Sequence, residues 1–341
     1  MFAQYIDRKK TTSKGHRKMI ASEIKTSSFW PEYREPKAAP LWANVLAGIL
    51  RRMPAGKHRV IHHMRYGRDR EFVARMPGEL GGYKFHCSFR DHIACSVFFA
   101  GCYEAQESAF VRSWLKPGMS FVDAGANWGL FSLLAAKLVG ESGKVIALEP
   151  DPRVFLKLKS NIERNHLRQV RAFQVAAADR ESELLLAGHD GVNQNSGMSR
   201  LIESGGASSL TFTVPSQRLD FLLDAAGLDM VDLLKMDVEG AEHMVLAGME
   251  DGLKRFRYRC ILLELHPLHS GETRPTLREI TKLLLARGYK GWSLDFSSKT
   301  SYRASYNPWQ DFRKFVRPLE HTFTDPWPHT VWLAPGQPDL S

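Results

Sequence analysis

The stretch FVDAGANWGLFSLLAA, residues 121–136, passes from a buried strand through a turn of small residues into an apolar helix. The turn holds Asp123, Gly125, Asn127 and Gly129. Glycine permits close approaches that a Cβ would exclude, so a ligand can lie against this turn at the carboxyl edge of a sheet. Because Gly125 and Gly129 are four residues apart, the spacing differs from the G-x-G-x-x-G of a dinucleotide site. The pattern predicts a cofactor loop of another kind.

Carboxylates on successive strands narrow the choice of ligand. Asp123 precedes the first glycine, where it would repel a pyrophosphate and favour a ligand with an amine-bearing end. The next strand, KVIALE, ends at Glu149, and a carboxylate there can accept hydrogen bonds from both ribose hydroxyls. A nucleoside with an amino-acid tail meets both demands, so we predict S-adenosylmethionine. Asp179, after the third strand, is a candidate contact for the adenine amine or, equally, an ordinary loop residue.

Strands and helices alternate along most of the chain, which is typical of a parallel sheet covered on both faces. Strands are predicted at 119–123, 144–149, 170–176, 232–238 and 259–265, and helices at 102–115, 129–139, 152–165, 240–256 and 276–288. Two late segments, 290–295 and 329–336, are predicted to pair as strands across a long loop. The glycine- and serine-rich insertion at 187–216 is either a loop over the acceptor or a surface hairpin.

Acidic residues and a histidine follow the fourth and fifth strands, in LLKMDVEGAE and LLELHP. Strand alternation places Asp237 and Glu239 on one face of their strand and Glu264 and His266 likewise, and adjacent parallel strands would bring all four to the carboxyl edge beside the cofactor. Asp237 or His266 can serve as the general base that a hydroxyl acceptor needs. Alternatively, Asp237, Glu239 and Glu264 supply oxygen ligands for Mg²⁺. A third reading makes Glu239 a helix cap and Glu264 a partner of a basic residue.

Several of these segments together resemble the FkbM family of S-adenosylmethionine-dependent methyltransferases. They are DAGANWGLFSLLAA, VIALEPDPRVFLKLKSNIERN, LLKMDVEGAEHMVLAGM and ILLELHP, with GCYE at 101–104. The resemblance covers about residues 88–336. It implies a Rossmann-like α/β class I fold with a seven-stranded, mostly parallel sheet in the order 3-2-1-4-5-7-6, and methylation of a hydroxyl group.

The resemblance also implies roles for individual residues. Asp123, Gly125, Asn127 and Gly129 would line the methionine end of the cofactor, and Glu149 the ribose. Trp128 departs from the family, which commonly has a smaller aliphatic residue there, so packing over the cofactor is expected to differ.

The positive charge lies at the N-terminus. Residues 1–70 hold 16 Lys and Arg against 5 Asp and Glu, whereas residues 71–341 hold 31 against 32. We predict a basic N-terminal arm at 1–85 and a methyltransferase domain at 86–341. Within the arm, an apolar stripe at helical spacing predicts an amphipathic helix at 41–53. The stripe comprises Trp42, Val45, Leu46, Ile49, Leu50 and Met53, and Arg51 and Arg52 lie near its end.

The leading hypothesis is an O-methyltransferase that acts on a hydroxyl of a glycan, glycolipid or secondary metabolite. The alternatives are a nucleic-acid methyltransferase that uses the basic arm, which the near-neutral remainder disfavours, and a non-catalytic cofactor-binding adaptor. Because no apolar run approaches the roughly 18 residues of a membrane span, we expect a cytoplasmic protein. The arm at 1–70 is expected to contact an anionic membrane or a partner protein, and the oligomeric state stays open.

Overall fold

The computed structural model describes residues 35–64, 71–89, 91–188, 199–202, 210–266, 277–319 and 328–340. Residues 1–34 and 65–70 of the predicted arm lie outside these ranges, as do residues 189–198 and 203–209 of the predicted insertion.

The largest feature is a central β-sheet whose first strand carries the opening motif. In the described residues its strands are β3 (Ser120–Ala124), β4 (Lys144–Leu148), β5 (Val170–Phe173), β10 (Leu233–Met236), β11 (Cys260–Glu264), β12 (Lys290–Leu294), β13 (Val316–Pro318) and β14 (His329–Leu333). Their order is β13-β12-β14-β11-β10-β3-β4-β5. The strands from β5 to β11 are parallel, and β14 is antiparallel to β11 and β12.

The strand count differs from the expectation. Eight strands are present in the described residues, because β13 extends the edge beyond β12. When β13 is left out, the remaining seven strands can be numbered in chain order. Starting from the β5 edge, their order across the sheet is then 3-2-1-4-5-7-6. The two late segments pair with each other, and Trp292 faces Val331 in register.

The sheet divides the core into two layers, because successive side chains of a strand point to opposite faces. In β3, Phe121 joins the apolar layer on one face, and Val122 and Ala124 join the layer on the other. In β11, Leu262 and Leu263 divide in the same way. All five β3 residues are buried, as expected of a central parallel strand.

Helices cover both faces of the sheet. The longer ones that follow the first strands are α5 (Leu130–Val139) and α6 (Pro152–Arg164), preceded by α4 (Ala105–Trp114). After these come α7 (Leu219–Ala225), α8 (Glu242–Gly248), α9 (Glu250–Lys254), α10 (Leu277–Ala286) and α11 (Ser298–Tyr306). The prediction of a single helix at 240–256 was wrong, because the helix is interrupted at Met249. This residue caps the end of α8 and the start of α9.

A smaller four-stranded sheet contains the described part of the predicted insertion. Its strands are β6 (Ala176–Ala178), β7 (Ser182–Ala187), β8 (Arg200–Ile202) and β9 (Thr211–Arg218), in the order β6-β9-β7-β8. Helix α8 packs on β6 and β9. The strand-like LTFTV of the sequence falls in β9.

The segment before the central sheet packs on the same core. It contains α1 (Leu41–Arg52), α2 (Lys57–Met64), a β1–β2 hairpin (Glu71–Arg75 and Lys84–Ser88), α3 (His92–Cys95) and a π-helical turn (Ser96–Ala100). The predicted boundary between residues 85 and 86 falls inside β2. No helix among the described residues is long and apolar enough to cross a membrane.

Helix α1 confirms the predicted helix, but only part of the predicted stripe faces the core. Leu50 is buried and Leu46 and Met53 pack against the core, together with the buried Ala43 and Ala47, whereas Trp42, Val45 and Ile49 of the stripe are exposed. The small alanines allow α1 to approach the π-helical turn closely, which the larger residues of the stripe would prevent.

The contact of α8 with β6 gives a stability prediction. A Cβ on Gly248 would lie 1.9 Å from the Ala178 carbonyl oxygen, so Gly248→Ala must displace the helix. We expect the free energy of unfolding to fall by about 1–3 kcal/mol, measured by urea denaturation. Gly78→Ala is the matched control, because no atom lies within 4 Å of its added Cβ. Equal stability of the two variants would contradict the packing of α8.

Candidate active site

A cavity opens at the carboxyl edge of the central sheet, beside the ends of β3, β4, β10 and β11. Most predicted site residues line it: Asp123, Gly125, Asn127, Glu149, Asp237, Glu239 and Glu264. Three do not: Gly129, Asp179 and His266. The cavity also has an aromatic wall that includes Phe85, Tyr103, Trp128 and Phe131. The two halves predicted separately from sequence, a cofactor loop and an acidic cluster, therefore face one cavity.

Gly125 brings the cofactor loop against the end of β10. It has a left-handed φ of 86°, and a Cβ there would lie 1.8 Å from the carbonyl oxygen of Asp237. Asn127 also has a left-handed φ, of 51°, and its side-chain oxygen accepts a hydrogen bond from the Trp128 backbone N–H at 2.7 Å. A Cβ on Gly129 would meet Leu158 of α6 at 2.6 Å, so this glycine permits packing of the turn.

Asp123 lies almost fully buried at the end of β3. Its Oδ2 accepts a hydrogen bond from the Ser132 hydroxyl at 2.6 Å. Burial raises the pKa of Asp123 to about 6, although Lys235 and Ser132 act in the opposite direction. A cationic ligand group beside it would stabilise the charged form.

Glu149 fixes the loop by accepting two backbone hydrogen bonds. Its two carboxylate oxygens accept from the N–H groups of Asn127 at 2.9 Å and Asp151 at 2.8 Å. Burial raises the pKa of Glu149 to about 8. Each carboxylate oxygen can accept a second hydrogen bond, so capping the turn leaves capacity for ribose hydroxyls.

Trp128 packs towards α6 and β2 as well as the cavity. The Asn161 side chain donates to its carbonyl oxygen at 2.8 Å, and the Lys157 ammonium lies 4.1 Å from its ring centroid. The His86 ring meets it edge to face, with centroids 5.2 Å apart. The bulk of this residue is thus accommodated by a pocket between β2 and α6.

Asp179 stands apart from the cavity. Its carboxylate lies 3.7 Å from the Arg180 guanidinium, and the lining positions of this region are Val175, Ala176 and Ala177 instead. A contact of Asp179 with adenine stays a prediction.

Lys235 is the centre of a buried charge cluster that the sequence interpretation missed. Its ammonium lies 3.2 Å from Asp237, 3.3 Å from Glu107 and 3.8 Å from Glu104. Although burial disfavours its charge, the carboxylates around it keep the pKa of Lys235 above the ordinary value. Two features of the sequence could have indicated this cluster. Lys235 precedes Asp237 by two residues and so lies on the same strand face, and Glu104 is the last residue of the GCYE segment.

Glu107 couples this cluster to β14. Its other oxygen lies 2.8 Å from His329 Nδ1, and His329 Nε2 lies 3.8 Å from Glu264. Burial would raise the pKa of Glu107, but Lys235 and His329 lower it to about 2. Burial, reinforced by Asp237, instead holds the pKa of Glu264 well above the usual range.

Glu239 and His266 form a second pair, just beyond the carboxyl end of β10. Their closest atoms, Glu239 Oε2 and His266 Nε2, are 3.4 Å apart, and His266 Nδ1 lies 2.7 Å from Glu242. Burial, with the nearby Asp237 charge, raises the pKa of Glu239 to about 7. Burial lowers the pKa of His266, but the hydrogen bond with Glu242 and the charges of Glu242, Asp237 and Glu239 together make the net shift upward. Glu239 has a left-handed φ of 48°, a costly conformation found at functional sites.

The predicted magnesium ligands divide between two groups in the described residues. Asp237 and Glu239 converge with His266, and Asp237 and Glu264 converge with Glu104, each within 4.8 Å. The first group includes an imidazole, whereas Mg²⁺ prefers oxygen ligands. In the second group, Asp237 already forms an ion pair with Lys235, which neutralises part of its charge. This donor set fits Mg²⁺ poorly.

Comparison with known proteins extends these observations. Residues 123–290 match the family described as the Methyltransferase FkbM domain. The matched range begins at Asp123 and includes Glu149, Asp237, Glu239 and His266.

Three relatives show the extent of similarity. The AMB antimetabolite synthetase AmbE of Pseudomonas aeruginosa is 29% identical over 208 residues, which cover 52% of this chain and 10% of that protein. The 2-O-methyltransferase NoeI of Sinorhizobium fredii is 28% identical over 180 residues, 50% of this chain and 72% of that protein. The 31-O-demethyl-FK506 methyltransferase FkbM of Streptomyces tacrolimicus is 28% identical over 200 residues, 51% of this chain and 74% of that protein.

The chain thus spans a tenth of the first of these relatives and about three quarters of the other two. The family match confirms the resemblance drawn from the sequence motifs. Residues 123–290 of the chain therefore form an FkbM methyltransferase domain.

Proposed function

We propose that this methyltransferase transfers a methyl group from S-adenosylmethionine to a hydroxyl of a glycan, glycolipid or secondary metabolite. The observation that carries the proposal is that Asp123 and Glu149 of the cofactor loop line the same cavity as Glu239, a carboxylate with a pKa near neutrality. The names of two relatives, a 2-O-methyltransferase and a 31-O-demethyl-FK506 methyltransferase, support oxygen as the acceptor atom.

Asp123 and Glu149 would hold the two ends of the cofactor. Asp123 presents a buried carboxylate to the cationic methionine end, and Glu149 accepts hydrogen bonds from the ribose. When bound, S-adenosylmethionine would supply an electrophilic methyl carbon, which the acceptor oxygen takes up while the sulfur leaves as the thioether of S-adenosylhomocysteine. The protein contributes mainly by positioning the acceptor in line with that group.

Glu239 is the residue we assign as general base. It lines the cavity, and its pKa of about 7 suits a base that operates near neutral pH. His266, which the sequence offered as base, does not line the cavity and hydrogen-bonds Glu242, so we assign it the positioning of Glu239. Asp237 forms an ion pair with Lys235 at 3.2 Å, so its carboxylate is already engaged.

The charge of the cavity constrains the acceptor. Asp123, Glu104, Asp237, Glu239 and Glu264 line it, and Lys235 is the one Lys or Arg among its described lining residues. Hydroxyl groups can donate hydrogen bonds to these carboxylates, whereas a phosphate would be repelled. The acceptor therefore presents a neutral, donor-rich end such as a polyol. This feature favours a glycan or hydroxylated metabolite over a nucleic-acid backbone.

Cofactor binding gives the first test. Asp123→Asn and Glu149→Gln should each weaken binding of S-adenosylmethionine about 10- to 100-fold in calorimetric titration, because each replaces a carboxyl oxygen that would accept hydrogen bonds from the cofactor with an amide nitrogen. Glu163→Gln, on the exposed face of α6, is the control and should leave affinity unchanged. Asp179→Asn decides whether that residue reaches adenine. Unaltered affinity in both cavity variants would exclude the assigned cofactor site.

Methyl transfer gives the second test. Incubation with a labelled methyl donor and an extract of the host should label a hydroxylated acceptor through an ether linkage, identified by mass spectrometry and NMR. Because the donor set fits Mg²⁺ poorly, a chelator should leave the rate unchanged. Label on nitrogen or in nucleic acid would refute the proposed acceptor class. Cofactor binding without any transfer would favour a non-catalytic adaptor.

The pH dependence tests the base. A base acts in its deprotonated form, so kcat/KM for the acceptor found above should rise with pH and level off above about 7. Glu239→Gln should lower the rate about 10²- to 10⁴-fold and remove this limb of the profile. Glu239→Asp retains the carboxylate and should recover part of the rate. Persistence of the limb in Glu239→Gln would assign it to another group.

A further inference from the structure

Helix α1 has two apolar faces, of which the protein uses one. Ala43, Ala47 and Leu50 pack inward, and the helix is held by Arg51, whose guanidinium donates two hydrogen bonds to the Phe98 carbonyl oxygen at 2.6 and 2.9 Å. On the opposite face, Trp42 stacks on Phe89, and the other large apolar side chains are exposed.

That opposite face exposes large apolar side chains. Leu41 is 79% exposed, Val45 and Ile49 are each 56% exposed, and Trp42 is 41% exposed. Leu41, Val45 and Ile49 lie four residues apart and form one stripe about 12 Å long at 1.5 Å per residue. Five of the nine large exposed apolar residues in the described part of the chain fall between residues 41 and 60. Because these residues are clustered in one segment, they form an apolar surface and are not isolated exposed side chains.

The charge around the stripe has one sign. Residues 41–64 contain no Asp or Glu, and they include Arg51, Arg52, Lys57 and Arg59. Two of these cations serve the fold: Arg51 binds Phe98, and Lys57 donates to the carbonyl oxygens of Ala100 and Ser305. Arg52 and Arg59 remain at the exposed surface. Arg52 lies three residues after Ile49 and therefore on the face of the stripe.

We propose that this face of α1, with Arg52 and Arg59, docks on an anionic lipid surface. Aliphatic and indole side chains flanked by cations can enter the headgroup boundary while the arginines bind anionic headgroups. A second copy of the chain is a poorer occupant, because four partly exposed side chains supply far less than the roughly 800 Å² per partner of a stable dimer. The same basic charge on two copies would also repel.

The docking face adjoins the wall of the active-site cavity. Trp42 stacks on Phe89, with ring centroids 5.6 Å apart and planes 9° from parallel. Phe89 lies three residues before the start of α3, in which Ile93 lines the cavity. An acceptor at a lipid surface would thus lie near the cavity, but the docking proposal holds whichever acceptor is methylated.

Vesicle cosedimentation of the full chain tests the proposal. Wild type should bind phosphatidylcholine vesicles that contain about one-third phosphatidylglycerol and not phosphatidylcholine alone. Val45→Ser with Ile49→Ser should weaken binding about tenfold or more, because it removes the inserting groups. Phe221→Ser with Leu285→Ser, which alters exposed apolar residues elsewhere, is the matched control and should bind like wild type.

The cationic contribution is tested separately. Arg52→Ser and Arg59→Ser should each weaken binding about fivefold, and added salt should diminish this effect. Arg255→Ser and Arg313→Ser, whose side chains are similarly exposed, are the controls. Thermal unfolding and cofactor affinity verify that each variant is folded.

Three results would overturn the proposal. One is failure of wild type to bind anionic vesicles, and another is equal binding of wild type and the Val45 and Ile49 variant. The third is a concentration-dependent dimer that the same variant abolishes, which would assign the face to self-association.

Discussion

The pairing of β3 with β10 is the constraint on which the rest of the site depends. In this parallel register Asp123 lies opposite Lys235, and the next turn places Gly125 beneath the carbonyl oxygen of Asp237. A Cβ on Gly125 would clash with that carbonyl oxygen, and the left-handed φ of Gly125 disfavours any other residue. Glycine is therefore required for the two strand ends to meet. The cofactor loop and the acidic cluster can therefore share one cavity.

Burial of several carboxylates around one lysine determines the chemistry of that cavity. Lys235 forms ion pairs with Glu107 and Asp237, whereas burial raises the pKa of Glu104 and of Glu264. The ion pairs and the raised pKa values both limit the negative charge of the cluster. A cavity of this kind accepts a cationic cofactor and a hydroxyl donor more readily than an anion, since either one offsets the remaining charge.

The sequence predicted the parts of the site that depend on local order along the chain. Strand ends, glycine positions and Glu149 follow from periodicity, because the carboxyl ends of parallel strands meet at one edge. The pair formed by Glu107 and His329 could not be predicted in this way, since it joins residues 222 positions apart. Likewise Glu239, which sequence grouped with Asp237, differs from it in its neighbours: Glu239 lies beside His266 and Asp237 beside Lys235, contacts that only the folded chain brings together.

Helix α1 shows why an apolar stripe does not by itself identify a buried face. Its period was read correctly, but alanines too small to stand out in the pattern make the inward contact. Arg51 and Arg52 look equivalent in sequence, yet one donates to the Phe98 carbonyl and the other to Gly48 of its own helix. Because the inward hydrogen bond fixes the rotation of α1, it also determines that Val45 and Ile49 face outward. The exposed apolar face is thus a consequence of how the helix is anchored.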